Sequence, residues 1–148
     1  MITYTNIVKT KVLDPLRVLL LAEFPNIRVS YEQEVDGGFP NLLVVRPTSD
    51  SLIEYQTSSQ IRNYVISITY FERFGGSRPK NRLERITETA ERLKRLLFNN
   101  RTHSAIGAPS GTNWYDGRVL AIDYNIDLPE DYSGVELTFQ CHHDEVTS

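Results

Sequence analysis

The sequence VELTFQCH, residues 135–142, alternates apolar and polar side chains at every step. Alternation with a period of two is typical of a β-strand that buries one face and exposes the other. The buried face would carry Val135, Leu137, Phe139 and Cys141. The second face carries Glu, Thr, Gln and His side chains, which are either solvated or matched against another protein.

Four more stretches have the composition of strands. Residues 27–35, 63–71 and 120–128 also alternate, while 42–45 is continuously apolar, which favours a central position covered on both faces. Gly, Pro and Asp residues separate the first strand from the second and the fourth from the fifth. Both pairs are therefore predicted to form antiparallel hairpins.

Two polar stretches, 48–60 and 99–113, exceed the usual length of a connection in a compact domain. Such length indicates contact with partners or disorder. Within the first stretch, Leu52, Ile53 and Tyr55 could form a short extra strand.

Two amphipathic helices accompany the strands. A first helix is predicted over about residues 4–23, in which Asp14 caps a second segment beginning at Pro15, or else Pro15 kinks the helix. The second helix carries one apolar stripe at spacings of three and four residues, formed by Leu83, Ile86, Ala90, Leu93 and Leu97.

A sheet with one apolar face needs a cover, and the two helices can supply it. The sequence therefore predicts an α+β fold, a two-layer sandwich in which a mostly antiparallel sheet of about five strands packs against two helices. Residues 1–148 contain no linker or repeat, so they are predicted to form a single domain.

Charge is small in total and unevenly distributed. The chain has a formal net charge of −3. Residues 78–101 hold eight basic and three acidic side chains, net +5, whereas residues 102–148 hold one basic and eight acidic, net −7. This pattern fits solvated surfaces or, alternatively, complementary surfaces on two copies of the chain.

No motif predicts catalysis, a metal or a cofactor. The candidate ligands His103, Cys141, His142, His143 and Asp144 do not converge, because consecutive strand residues point to opposite faces. The sequence lacks a nucleophile elbow, a phosphate loop and a dinucleotide fingerprint. We therefore expect a protein that is not an enzyme and has no cofactor.

Membrane insertion is not expected either. The longest apolar run, Val18 to Ala22, has five residues, and a spanning helix needs about 20. No signal-peptide pattern surrounds this run, so a cytoplasmic place of assembly is expected.

Nucleic-acid binding is a further alternative, because basic side chains concentrate on and around the second helix. Aromatic residues that would stack on bases do not interleave with them, and Phe98 is expected to pack inside the protein. Specific nucleic-acid binding is therefore the less favoured interpretation.

Five strings, taken in this order, carry a resemblance: FPNLLVVRPTSD from 39, RNYVISITYFERFG from 62, RLERITETAERLKRLLFNN from 82, WYDGRVLAIDYNIDLP from 114 and GVELTFQC from 134. The resemblance that they carry extends over nearly the whole chain. The sequence resembles the tail terminator proteins, also called tail completion or neck proteins, of tailed bacteriophages.

This resemblance implies a structural virion protein that forms a homo-oligomeric ring, typically a hexamer. The ring would cap the tail tube, end its polymerisation and join it to the head-side connector. DNA would pass through the lumen without specific binding, and the protein would be found in the virion after assembly in the host cytoplasm. The alternatives are a head-completion or stopper protein of the neck and a small nucleic-acid-binding module.

A ring with head-to-tail contacts needs two different complementary patches on each subunit. Our hypothesis is that Arg92, Lys94 and Arg95 of one subunit face acidic residues of the next. Exposed ion pairs contribute about 0–1 kcal/mol each, so they would set the register while apolar contacts hold the subunits together. The acidic candidates are Asp116, Asp123, Asp127, Glu130 and Asp131.

Overall fold

The computed structural model describes residues 1–32, 41–73, 82–104, 112–128 and 132–146. A π-helical segment, Val8–Leu13, leads into helix α1, Asp14–Glu23, and the second helix is α2, Arg82–Asn99. The strands are β1 Arg28–Ser30, β2 Asn41–Tyr55, β3 Ser59–Arg73, β4 His103–Ser104, β5 Thr112–Asp123 and β6 Tyr132–Val146. The predicted turn residues at 36–40 and the acidic candidates Glu130 and Asp131 lie outside the described residues.

The strands form one six-stranded sheet in the order β1-β2-β3-β6-β5-β4. Only the pairing of β1 with β2 is parallel, and the other pairs are antiparallel. The prediction of an α+β fold with a mostly antiparallel sheet is thus confirmed, with one strand more than expected. The first predicted hairpin is wrong, because β1 runs parallel to β2.

The central pair β3 and β6 organises the core. Their ladder runs over fifteen residue pairs, from Ser59 opposite Val146 to Arg73 opposite Tyr132. Alternate residues of both strands are buried on one face, as the period of two predicted, and both helices pack there in a single apolar cluster. Its strand members include Tyr64, Ile66, Ile68, Val135, Leu137, Phe139 and Cys141, and its helix members include Val12, Leu16, Leu20, Ile86, Ala90, Leu93 and Leu97.

The first helical region differs from its prediction at its start and at the capping role of Asp14. Helical structure begins at Ile7 rather than near residue 4. A new segment does start at Asp14, with Pro15 in its first turn. The Asp14 side chain does not cap it, because its carboxylate accepts hydrogen bonds from Lys9 and from the hydroxyl of Tyr31.

The opposite face of the sheet is polar along most of its length, with one apolar patch. Leu42, Val44 and Phe71 form this patch, and Ile126 and Leu128 cover it. The alternating sequence had predicted a strand through residue 128, but β5 ends at Asp123. There the Asp123 side chain accepts a hydrogen bond from the backbone N–H of Asn125 at 2.9 Å, which turns the chain across the sheet.

Trp114 connects the end of α2 to β5. Its indole N–H donates to the carbonyl of Asn100 at 2.8 Å, and the side chain is fully buried. The ring stacks on His103 at 4.5 Å between centroids and meets Phe139 edge-on at 6.1 Å. Nearby, the N–H of Gly117 donates to the carbonyl of Arg101, which holds the segment after α2 against β5.

The apolar stripe of α2 supplies a test of the core. Leu93 is fully buried, whereas Leu83, predicted to belong to the same stripe, is 74% exposed. Leu93→Ala should lower the unfolding free energy by about 2–5 kcal/mol, because it removes packed methyl groups and leaves a cavity. Leu83→Ala is the matched control and should change it by less than about 0.5 kcal/mol. Equal losses in urea unfolding would contradict this packing.

The His103–Trp114 stack predicts a pH dependence. Burial lowers the pKa of His103 from its usual 6.5. The contribution of the neutral His103 ring to the free energy of unfolding is therefore complete above pH 6.5. It is lost as the pH falls through the lowered pKa. His103→Phe keeps a stacking ring without a titrating group, so the decline of the melting temperature between pH 7 and about 5 should be shallower in this variant. Parallel declines in the two proteins would rule out the His103 contribution.

Candidate subunit interface

Arg92, the first basic candidate, is occupied within its own chain. Its guanidinium binds the carboxylate of Glu23 at 3.0 Å and donates to the Glu23 carbonyl at the same distance. It also lies over the ring of Phe24, 4.4 Å from the centroid. Arg92 therefore ties α2 to the end of α1.

Lys94 and Arg95 are on the exposed surface of α2. The ammonium of Lys94 pairs with Glu91 at 2.6 Å, one turn earlier in the helix. Arg95 is exposed and forms no ion pair with any residue that the structure describes. Of the three basic candidates, Arg95 is the one that has no ion-pair partner among the described residues.

Lys94 borders a cleft of about 440 Å³ between α2 and β5, which we call the basic cleft. Its other charged members are Arg101, Arg118 and Asp116, and Phe98 and Val119 supply apolar surface. Arg118 pairs with Asp116 at 3.0 Å, and Arg101 lies over the ring of Phe98 at 4.9 Å. The expectation that Phe98 packs inside the protein is wrong, because it is 58% exposed.

The acidic candidates lie in different places. Asp116 is part of the basic cleft, whereas Asp123 and Asp127 border a groove on the opposite face of the sheet, together with Glu136 and Arg46. Asp123 is therefore across the sheet from Arg92, Lys94 and Arg95, whereas Asp127 also borders a second cleft beside Arg82 and Leu83 at the start of α2. The pairing of these groups between two copies stays a prediction.

The polar face beside this groove contains short hydroxyl side chains. The groove has a volume of about 390 Å³ and includes Ser67 and Thr69 of β3. The Thr69 hydroxyl donates to the Glu136 carboxylate at 3.5 Å, and Ser67 lies 3.4 Å from Thr69. This surface presents hydroxyl and carboxylate groups rather than an apolar docking site.

Two edges of the sheet lack a strand partner among the described residues. Strand β1 pairs only with Leu42–Val44, so the rest of β2 has no strand neighbour on that side within the described part of the chain. Its residues Ser49–Tyr55, the distal β2 edge, include Leu52, Ile53 and Tyr55, whose side chains are 51%, 48% and 74% exposed. Strand β4 pairs only near Trp114, which leaves Arg118–Asp123, the β5 edge, open.

The sequence allowed only a short extra strand at Leu52, Ile53 and Tyr55, because residues 48–60 were interpreted mainly as a long polar connection; the structure instead continues β2 to Tyr55. The strand continues through a register shift between Pro47 and Ser49, and every residue from Arg46 to Tyr55 is exposed. Without a buried face, the alternating signal of a strand is absent. The apolar residues Leu52, Ile53 and Tyr55 were the signal for the short extra strand that the sequence allowed there.

Cys141, His142 and His143 have surroundings that fit a role in the fold rather than in catalysis. Burial raises the pKa of Cys141 to about 12, which disfavours the reactive thiolate. The buried His143 ring contacts the carbonyl of Asn113 at 2.7 Å, and His142 lies 3.6 Å from Asp116. The described residues hold no group of three side chains that could bind a metal ion.

Among the described helices, none combines the length and apolar composition that a membrane span requires.

No protein-family model matches the chain, and no curated protein matches it in sequence.

The contacts of Arg92 predict a stability effect. Arg92→Glu should lower the unfolding free energy by about 1 kcal/mol, because it replaces an exposed ion pair and a cation–π contact with repulsion from Glu23. Arg95→Glu, which removes no ion pair with a described residue, should change it by less than about 0.5 kcal/mol. Thermal and urea unfolding of the two variants measure the difference. Equal stability of both would show that the Glu23 and Phe24 contacts contribute nothing.

Proposed function

We propose that this chain is one subunit of a homo-oligomeric ring, hexameric in form, that caps a bacteriophage tail tube. In this proposal the ring ends polymerisation of the tube and joins it to the head-side connector. Each subunit is a wedge built as a two-layer sandwich, with its helices outside and the polar sheet face towards the lumen. The protein acts by its shape and catalyses no reaction.

The observation that carries this proposal is the pair of open edges on opposite sides of one sheet. Head-to-tail association requires two different surfaces on each subunit. The distal β2 edge and the β5 edge are such surfaces, and both expose apolar side chains, with Leu120 of the β5 edge 53% exposed. A soluble monomer rarely leaves long apolar strand edges uncovered.

The charge of the polar face suits a channel for DNA. Asp123, Asp127 and Glu136 border its groove, against the single cation Arg46. Each contact between a cation and a phosphate would strengthen DNA binding and hold the genome in place. A neutral-to-acidic lumen therefore favours passage of DNA over retention.

The partners in this proposal are further copies of the chain, the tail tube protein and the head-side connector, in a virion assembled in the host cytoplasm. A head-side stopper protein could share the same geometry. Binding to purified tail tubes distinguishes the two, because a terminator contacts the tube end directly.

A nucleic-acid-binding module is the second candidate, and the basic cleft favours it. Exposed Phe98 lies beside Lys94, Arg101 and Arg118, an arrangement that could stack a base and contact its phosphates. Retention on single-stranded DNA at physiological salt that Phe98→Ala abolishes would support this candidate.

Native mass spectrometry and electron microscopy test the ring. We expect a closed species at six times the chain mass, formed either free in solution or after tail tubes are added, with a central hole wide enough for duplex DNA. A twofold dimer as the final assembly, or a monomer at all concentrations and on tail tubes, would contradict the proposal.

A further inference from the structure

We infer that residues 1–4 of one copy add as a short strand to the distal β2 edge of a neighbouring copy. They belong to the sequence MITYTN, residues 1–6, which we call the N-terminal arm. This inference rests on the proposed ring and identifies a contact that joins its subunits. Exposure, register, chain length and charge all favour the contact.

The N-terminal arm has the composition of a strand and lies outside regular secondary structure. All six of its residues are exposed, and the side chains of Ile2 and Tyr4 are 85% and 83% exposed. They alternate with Thr3 and Thr5, and β-branched and aromatic residues are favoured in strands. Residues 1–5 make no hydrogen bond or ion pair with any described residue. The arm is therefore available to a second copy.

The register of the sheet shows that a neighbour's β5 cannot cover the distal β2 edge directly. Following the ladders across the sheet, Ser51 of β2 is level with Tyr115 of β5. The outer side of β5 is already occupied around Tyr115, because β4 pairs with it there and the N–H of Gly117 donates to the carbonyl of Arg101. In a ring whose copies stand at one height, a different segment is needed to cover the distal β2 edge.

The arm joins the helix layer towards the distal end of the sheet. The hydroxyl of Tyr31, which directly follows β1, donates to the carboxylate of Asp14 at the start of α1. Because β1 and β2 are parallel, Tyr31 lies on the side towards which β2 runs, and so does the chain that precedes Asp14. The arm therefore begins at the end of the sheet to which the distal β2 edge belongs.

The arm is long enough to reach the next copy. It leads into the π-helical segment Val8–Leu13, which packs against β5 as well as β2. Two strand spacings, about 10 Å, separate β5 from a strand added beyond β4. Six extended residues span about 20 Å. Residues 5 and 6 can therefore bridge β4, and residues 1–4 can lie along β2 of the neighbour.

Charge favours the distal β2 edge over the β5 edge as the site that receives the arm. Residues 1–13 carry two lysines and no carboxylate, whereas the distal β2 edge carries two carboxylates and no cation. Of these four side chains, Lys11 and Glu54 form no ion pair with any described residue. The β5 edge would repel the lysines, because the basic cleft beside it has three cations. Complementary charge of this kind selects one partner surface over another.

The distal β2 edge also lacks the usual protection of a free strand. Exposed edges commonly carry Lys or Pro residues that prevent pairing with another chain. Residues 49–55, SDSLIEY, contain neither and include two aliphatic residues and a Tyr. An added strand would pair the free backbone groups of this edge and bring its apolar side chains against Ile2 and Tyr4 of the neighbour.

The double variant Ile2→Asp with Tyr4→Asp tests the arm. It should weaken assembly at least about tenfold in light scattering or native mass spectrometry, because it removes apolar contacts and brings carboxylates against Glu54. The assay uses free protein or tail tubes, whichever assembles the unmodified chain. Val18→Asp with Leu83→Asp is the matched control, with two exposed apolar side chains on the helices, and should assemble like the unmodified protein. Both double variants should keep the melting temperature within a few degrees, since all four positions are exposed.

Cross-linking tests whether the arm crosses from one copy to the next. Thr3→Cys and Ser51→Cys place thiols at exposed positions of the arm and of the edge, and native Cys141 is buried. With a short bis-maleimide, an assembled mixture of the two single variants should give covalent dimers on a denaturing gel. A chain with both substitutions should give a ladder of multimers ending at the ring number, and each single variant alone should remain monomeric.

The outcomes separate this inference from the proposed ring. Rings without cross-links between copies, or with cross-links confined to one chain, would overturn the arm contact and leave the ring intact. Dimers from Ser51→Cys alone would show a contact of two β2 edges and overturn it as well. An arm variant that forms rings normally but no longer binds tail tubes would assign the arm to the tube protein instead. Unmodified protein that stays monomeric even on tail tubes would contradict the ring itself.

Discussion

The one-sided burial of the β3–β6 ladder is the constraint on which the rest of the structure depends. In the middle of these central strands, over 64–70 and 135–141, every second side chain belongs to the apolar core and must leave water, which forces both helices onto the same face. Burial of each large aliphatic or aromatic side chain contributes about 1.5–3 kcal/mol. Once that face is covered, the polar face and the two sheet edges are the surfaces that remain for contacts with other molecules.

The polar face and the edges differ in what they can do. Hydroxyl and carboxylate groups line the face, and their bonds to each other or to water give a neighbouring molecule little to hold. The edges combine unpaired backbone groups with exposed apolar side chains such as Leu52 and Leu120. Strand addition supplies directional hydrogen bonds as well as apolar burial. In our account the edges therefore bind neighbouring subunits, and the polar face stays free of protein contacts. This division of roles suits a ring with a lumen.

Local patterns predicted the elements whose burial is one-sided, and they failed where the chain makes long-range contacts. The alternation in residues 135–142 and the stripe containing Leu93 were sufficient, because each reports a single buried face. Turn residues near 36–40 indicated a hairpin, but turn chemistry cannot show that β1 pairs in parallel with β2. Arg92 and Glu23 are 69 positions apart, so only the folded chain shows their ion pair.

The distal β2 edge was only partly predictable, and the basic cleft was not predictable from the sequence. Residues 49–55 bury neither face within one subunit, so the sequence shows no period there. The exposed Phe98 directly follows Leu97, the last residue of the apolar stripe of α2. Residues 49–55 have the composition of a loop, and the apolar end of α2 at Phe98 has the composition of a core. Such local contradictions are expected where a sequence serves a contact outside the subunit.

Hydrogen–deuterium exchange of dilute and assembled protein tests most directly whether the sheet edges join the subunits. The account predicts slow exchange in the β3–β6 ladder in both states. The amides of 49–55 and 118–123 that point away from the neighbouring strands should exchange rapidly in the dilute subunit and slowly in the assembly, because in the proposed ring both edges are covered by neighbouring subunits. Unchanged rapid exchange at both edges in a fully assembled ring would contradict the account.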